Sequence, residues 1–317
     1  MTLNPQAAQF LDMVSGAPAL ESVPIEVTRR MAVDAIPFTG EPAELALIED
    51  STVDIGTRRV PVRVYRPALA ENLPVMAYFH GAGWVAGNLD THDRIPRDIA
   101  AYSGAVVVAV DYRLAPEAPF PAAYDDCLGV VRRLLEDGGG VGVDPGRVAV
   151  GGDSAGGNLA AVAGQQLRGV GSGIVHQVLI YPVADAAAVG ESASYREYGH
   201  GYFLTTQDMR FFVRSYAGDT DPADVRISPL RNDDLSGLPP ATVVTAECDP
   251  LRDEGEAYAA KLRAAGVDVT VRRFTGEVHP FVLVAGLIDD AGTARRWIGE
   301  RLRAALFTVP SRTGVTS

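Results

Sequence analysis

From about residue 51 onward, short apolar runs rich in β-branched residues alternate with helix-like stretches, and no other feature of the chain constrains its fold as tightly. The runs are 60–65 (VPVRVY), 74–80 (PVMAYFH), 105–112 (AVVVAVDY), 147–152 (RVAVGG), 177–182 (QVLIYP), 241–247 (ATVVTAE) and 268–274 (DVTVRRF), with helical patterns at about 91–102, 122–136, 155–168, 252–265 and 286–306. A strand that reads as a continuous apolar run is covered on both faces, and a helical crossover makes successive strands parallel. The expected fold class is α/β, a mostly parallel sheet with helices on both faces. Ligand sites in such sheets lie beyond the carboxyl ends of the strands.

The rhythm fails in two places. Residues 1–45 are helical in pattern but interrupted by Pro18, Pro24, Pro37 and Pro42, and are expected to form an N-terminal helical cap region. The remainder, 46–317, reads as the main α/β domain, with a second cap segment inserted near 184–225. That insertion holds Tyr195, Tyr198, Tyr202, Phe203, Phe211, Phe212 and Tyr216. Such aromatics can wall a pocket or simply pack a helical excursion. Tyr202 and Phe203, with Trp84, are the side chains expected to line such a pocket, and Trp84 can equally be core. Residues 308–317 read as a loose tail.

The net charge of −12 argues against nucleic acid and anionic membrane surfaces as partners. No apolar stretch approaches the roughly 18–20 residues of a membrane span. The N-terminus lacks the basic, apolar and small-residue succession of a signal peptide. The two cysteines, Cys127 and Cys248, are too few for a disulfide framework and have no zinc-ligand spacing. These features predict a cytoplasmic protein. A homodimer, formed through C-terminal helices or an edge strand, is compatible with the pattern and not demanded by it.

Chemistry enters at four strand ends. Gly152-Asp153-Ser154-Ala155-Gly156 lies between an apolar strand and a helix, the setting in which G-x-S-x-G lifts a serine hydroxyl above the sheet edge. Elsewhere the same glycine-rich turn would leave its serine merely capping a helix. His80-Gly81-Ala82-Gly83-Trp84 follows the strand PVMAYF, where a loop of small residues can aim backbone N–H groups at a developing oxyanion. The expected donors are Ala82, Gly83 and Ala155, with His80 anchoring the loop. After ATVVTAE come two acids, Asp249 and Asp253; Asp249, at the strand end, is favoured as the orienting carboxylate, while Asp253 suits the first turn of the next helix. Of the five histidines, His279 stands after the last strand and completes the order serine, acid, histidine. Ser154, Asp249 and His279 are therefore the expected nucleophile, orienter and base, and no metal or organic cofactor is called for.

Taken together, Gly152–Gly157, the stretch Asp111-Tyr112-Arg113-Leu114-Ala115-Pro116-Glu117 with Phe120-Pro121-Ala122-Ala123, and Asp249–Gly255 resemble the hormone-sensitive-lipase-like family of bacterial esterases, in its GDSAG branch. The resemblance runs from about residue 50 to 305. It implies an α/β-hydrolase fold with a helical cap, and a carboxylesterase acting on short- to medium-chain esters. Two positions depart from the family pattern. The oxyanion loop, usually His-Gly-Gly-Gly, has Ala82 in third place. The residue after the histidine, commonly glycine, is Pro280.

Two other uses of such a chain follow from the same residues. The triad can act on amides, lactones or acetylated small molecules, since the motifs do not distinguish leaving groups. A non-catalytic receptor can also occupy this fold, as in the plant gibberellin receptors, which have lost the histidine; His279 is present here and counts against that use. A lipase acting at lipid surfaces would call for a long amphipathic lid, which the sequence lacks.

Overall fold

The central strands form where the sequence is continuously apolar. Val106–Val110 is a five-residue strand buried throughout, and all eight residues of Ala241–Cys248 are buried. The structure, a computed structural model, describes residues 2–307. The expectation of a loose tail at 308–317 falls outside them.

In chain order, helices α1 (Pro5–Val14) and α2 (Ile25–Asp34) precede a hairpin of β1 (Leu47–Asp54) and β2 (Arg59–Arg66). Then follow β3 (Leu73–Phe79), α3 (Arg94–Ser103), β4 (Val106–Val110), α4 (Ala122–Asp137), β5 (Val143–Asp153), α5 (Ala155–Gln166) and β6 (Ile174–Ile180). Two helices, α6 (Ala193–Tyr198) and α7 (Thr206–Ala217), form the excursion before β7 (Ala241–Cys248), α8 (Arg252–Ala264), β8 (Val269–Val278) and α9 (Asp289–Phe307). The eight strands make one sheet in the order β1-β2-β4-β3-β5-β6-β7-β8. Pairing is parallel from β4 through β8 and antiparallel for β1–β2 and β2–β4.

The pleat sorts alternate side chains into two apolar layers. Val75, Ala77 and Phe79 join one, with Val130 and Leu134 of α4 and Leu159 of α5. Met76 and Tyr78 join the other, with Ile95 and Ile99 of α3 and Ile298 and Leu302 of α9. Helices therefore cover both faces. Their ends carry recognisable stop and start signals: Gly104 and Gly138 close α3 and α4 in the left-handed conformation, and Thr205 and Asp208 form a reciprocal capping box at α7.

The N-terminal segment is helical, but its first helix is not set apart from the body. Ala7 and Phe10 of α1 are buried in the same apolar layer as Phe274, Phe281 and Val282. Among the described residues, no helix is long and apolar enough to cross a membrane.

Candidate active site

Ser154 is held in a backbone conformation that the surrounding packing enforces. It sits between β5 and α5 at φ 55°, ψ −116°, a region that ordinary side chains avoid at a cost of about 1–3 kcal/mol. Its N–H donates to the Ile180 carbonyl at 2.8 Å, tying the turn to the end of β6. The motif glycines are spatial requirements. A Cβ on Gly152 or on Gly156 would overlap the Phe79 carbonyl, because the turn packs directly on the end of β3. Behind the serine, α5 begins at Ala155, so unpaired N–H groups and the positive end of the helix face the site.

His279 follows the end of β8, is 5% exposed, and brings Nδ1 within 2.8 Å of Asp249 Oδ2. Asp249 is wholly buried beyond β7, and its other oxygen accepts the Leu251 N–H at 2.8 Å. A carboxylate held from both sides fixes the proton of the ring on Nδ1 and leaves Nε2 free to accept. The imidazole lies beside Tyr181, ring centroids 4.5 Å apart, and Tyr181 is the residue after Ile180. Ser154 and His279 thus meet the same strand end, one through its backbone and the other through its ring. Asp253, the alternative acid, is engaged elsewhere: it accepts the Ser194 N–H at 2.8 Å and pairs with Arg252, joining α6 to α8. The His279–Pro280 bond is cis.

The loop after β3 turns through three successive positive-φ residues, Ala82 (73°), Gly83 (65°) and Trp84 (59°). Ala82 therefore stands in a conformation that favours the glycine usual at this position. The loop is pinned to the serine turn, since the Gly81 N–H donates to Asp153 Oδ1 at 3.0 Å. The same oxygen accepts the Tyr78 hydroxyl at 2.6 Å, and His92 Nε2 stands 3.6 Å from Asp153 Oδ2. Burial opposes ionisation of Asp153, yet His92 and the Tyr78 hydroxyl together hold its carboxyl below the usual range. His80 anchors the loop from below: its Nδ1 lies 2.9 Å from the Gly81 carbonyl, its ring stacks on Tyr112 at 4.2 Å, and Tyr112 Oη donates to the His80 carbonyl at 2.7 Å. Burial drives the His80 pKa down to about 3, so this imidazole is neutral.

Of the expected substrate contacts, Trp84 requires correction. Its side chain is fully buried and stacks on Tyr216 at 4.4 Å with 6° between the rings. The positive φ turns the indole into the core beneath the loop. Tyr202 and Phe203 lie between α6 and α7; Tyr202 meets the edge of Tyr198, while Phe203 is 44% exposed and packs on Phe10 of α1 at 5.3 Å. Phe212 of the insertion also packs on the loop, its ring standing where a Cβ on Gly83 would overlap it. Most of the other aromatics, Tyr195, Tyr198 and Tyr216, are buried.

Sequence reasoning overlooked Tyr181 and gave Asp153 no role, and it did not set Phe212 apart from the other aromatics of the insertion. Tyr181 had a usable signal, being the first residue past a buried strand. Asp153 lay inside the motif itself.

Residues 76–283 match the family model described as the alpha/beta hydrolase fold. The carboxylesterase NlhH of Mycobacterium tuberculosis is 44% identical over 254 residues, covering 78% of this chain and 79% of its own length. The ethyl acetate hydrolase of Pseudomonas putida is 37% identical over 325 residues, covering 96% and 100%. An ester hydrolase from the metagenome of Lake Arreo, solved with a bipyridine phosphonate derivative, superimposes with a TM-score of 0.91 at 38% identity, covering 97% of this chain and 100% of that one. With the strand order, the serine turn and the buried His–Asp pair described above, these matches show that the chain belongs to the hormone-sensitive-lipase-like family of carboxylesterases in the α/β-hydrolase fold.

Proposed function

We propose that this protein hydrolyses carboxylic esters of short to medium acyl chain by two-step acyl transfer on Ser154. The observation that carries the reading is the 2.8 Å contact between His279 Nδ1 and Asp249 Oδ2, beside the strained serine turn. His279 Nε2 takes the Ser154 proton as Oγ attacks the ester carbonyl, and Asp249 holds the tautomer and stabilises the imidazolium. The N–H groups of Ala82, Gly83 and Ala155 receive the oxyanion, an arrangement in which loss of one donor costs about 2.7–4 kcal/mol of barrier. The imidazolium then passes its proton to the leaving alkoxide oxygen and frees the alcohol. Water, deprotonated by His279, attacks the acyl-enzyme and releases the acid with Ser154 restored.

The acyl preference is supported by a relative whose name is ethyl acetate hydrolase and by the Phe212 ring seated on the oxyanion loop. Residues 1–45 and the insertion near 184–225 act together as the cap over the pocket, joined where Phe10 meets Phe203, with Tyr202 and Phe203 at its rim. The two cysteines, buried and unpaired, suit a reducing compartment such as the cytoplasm.

The test is covalent labelling. A fluorophosphonate should add once per chain, and peptide mapping should find it on Ser154. Labelling elsewhere, or none in the folded protein, refutes the reading. A panel of p-nitrophenyl esters from acetate to decanoate should show kcat/KM falling beyond medium chains. A matched anilide turned over as fast as its ester would move the protein to the amidases.

A further inference from the structure

The loop that carries His279 runs from the end of β8 to the start of α9, and the N-terminal segment grips it at three points. At its entry, the Asn4 N–H donates to the Gly276 carbonyl at 3.0 Å, and Asn4 Nδ2 donates to Glu277 Oε1 at 2.6 Å. In its second half, the Gly286 N–H donates to the Phe38 carbonyl at 2.9 Å. At its exit, the Asp289 N–H donates to Gln6 Oε1 at 3.0 Å. Side chains nearly three hundred positions away in sequence therefore set the frame of the loop that holds the base.

The entry point is closely fitted. Gly276 has φ 71°, and a Cβ there would stand 2.7 Å from Asn4 N and 2.9 Å from the Thr2 carbonyl oxygen, so only glycine admits the segment so near. The Gly276 N–H donates to Glu247 Oε2 at 2.7 Å, two residues before Asp249, so the end of β8 is also tied to the end of β7, just before the triad acid. Glu277 is fully buried two residues before His279, and its Oε2 has no partner among the described residues. Burial, with Asp290 nearby, pushes its carboxyl up to about 7, against the lowering by Asn4. A buried acid left without its donor is costly, so the carboxyl and Asn4 hold each other in place. Asn4 is in turn fixed as the cap of α1, its Oδ1 accepting the Gln6 N–H at 2.9 Å, and α1 is anchored by buried Ala7 and Phe10.

We infer that Asn4 and Glu277 are positioning residues for His279, the N-terminal segment acting as a clamp that keeps the base in line with Ser154. The inference rests on the reading of Ser154 and His279 as nucleophile and base. It assigns residues 2–10 a task in the chemical step, separate from any part in shaping the pocket.

The test uses the full chain with p-nitrophenyl butyrate, kcat being expressed per site titrated to completion by a fluorophosphonate. Asn4→Ser keeps a capping oxygen for α1 but cannot reach Glu277. Glu277→Leu removes the acceptor, and Glu277→Gln keeps it. Since misplacement of a reacting group by about 1 Å can cost on the order of a hundredfold, partial release of the loop should lower kcat about tenfold in Asn4→Ser and Glu277→Leu, with KM within about twofold. Glu277→Gln should recover most of the loss, and the double variant Asn4→Ser/Glu277→Leu should be no slower than Glu277→Leu alone. A kcat within about twofold of the parent in both single variants, whatever the change in melting temperature, overturns the inference. So does a rise in KM at constant kcat, which would give the segment a pocket role only. Ser154→Ala separates the two levels: if it is inert while Asn4→Ser is fast, the clamp alone fails; if it is active, the underlying reading fails first.

Discussion

Replacing Glu254 with glutamine should make the protein more stable at pH 8 than at pH 5.5 relative to the parent. Glu254 is buried in the first turn of α8, and its Oε1 accepts the N–H groups of Ala184 and Asp185 at 2.7 and 3.3 Å. Burial raises its carboxyl from 4.5 to about 8; the two N–H groups oppose that rise, and Asp185 and Asp249 add to it. The folded chain thus binds this proton more tightly than the unfolded chain does. The contribution of Glu254 to stability is complete below pH 4.5 and is lost as pH climbs toward 8. At about 1.36 kcal/mol per pH unit, the loss by pH 7 is roughly 3 kcal/mol. Glutamine keeps an acceptor for Ala184 and does not titrate. Urea unfolding of parent and Glu254→Gln at pH 5.5 and pH 8 should therefore show the difference between them shifting by about 3 kcal/mol in favour of the variant at the higher pH. Because all other titrating groups are shared, the comparison isolates this one. A difference that stays constant between the two pH values refutes this, and with it the assignment of a neutral buried acid beside Asp249.

Further outcomes follow from the same geometry. Asp249→Asn should lower kcat by about 10⁴ with the protein still folded, because the amide favours the wrong tautomer of His279; steady-state kinetics with circular dichroism checks this. Gly83→Ala should destabilise the chain and cut activity, since its Cβ would overlap the Phe212 ring, and Gly83→Ala/Phe212→Leu should recover part of both in thermal melts and ester assays. Ala82→Gly should leave stability within about 1 kcal/mol, relief of the positive φ being offset by greater freedom of the unfolded chain, and should leave kcat within a few-fold.

How legible the fold was in the sequence depended on burial. Strands covered on both faces, such as β3 and β4, read as unbroken apolar runs and are found within a residue or two. The edge strand β1, Leu-Ile-Glu-Asp-Ser-Thr-Val-Asp, was missed because seven of its eight residues are exposed or half-buried and leave no apolar pattern. For the site, strand ends and their chain order singled out Ser154, Asp249 and His279, because the parallel sheet delivers every strand end to one edge. Two acids one turn apart differ in their partners: Asp249, at the strand end, meets His279, and Asp253 meets Ser194. The sequence leaves Trp84 open between pocket wall and core, because the direction of a loop side chain depends on a backbone angle that composition does not reveal. The bond from Asn4 to Glu277 spans 273 positions and carries no local pattern at all.

Whether Ser154 is the nucleophile is decided by the turnover of p-nitrophenyl butyrate by Ser154→Ala, measured on folded protein against the parent. Its kcat/KM should fall by at least about 10⁴, leaving only the residual assistance of binding and the oxyanion donors. Activity within tenfold of the parent would contradict it.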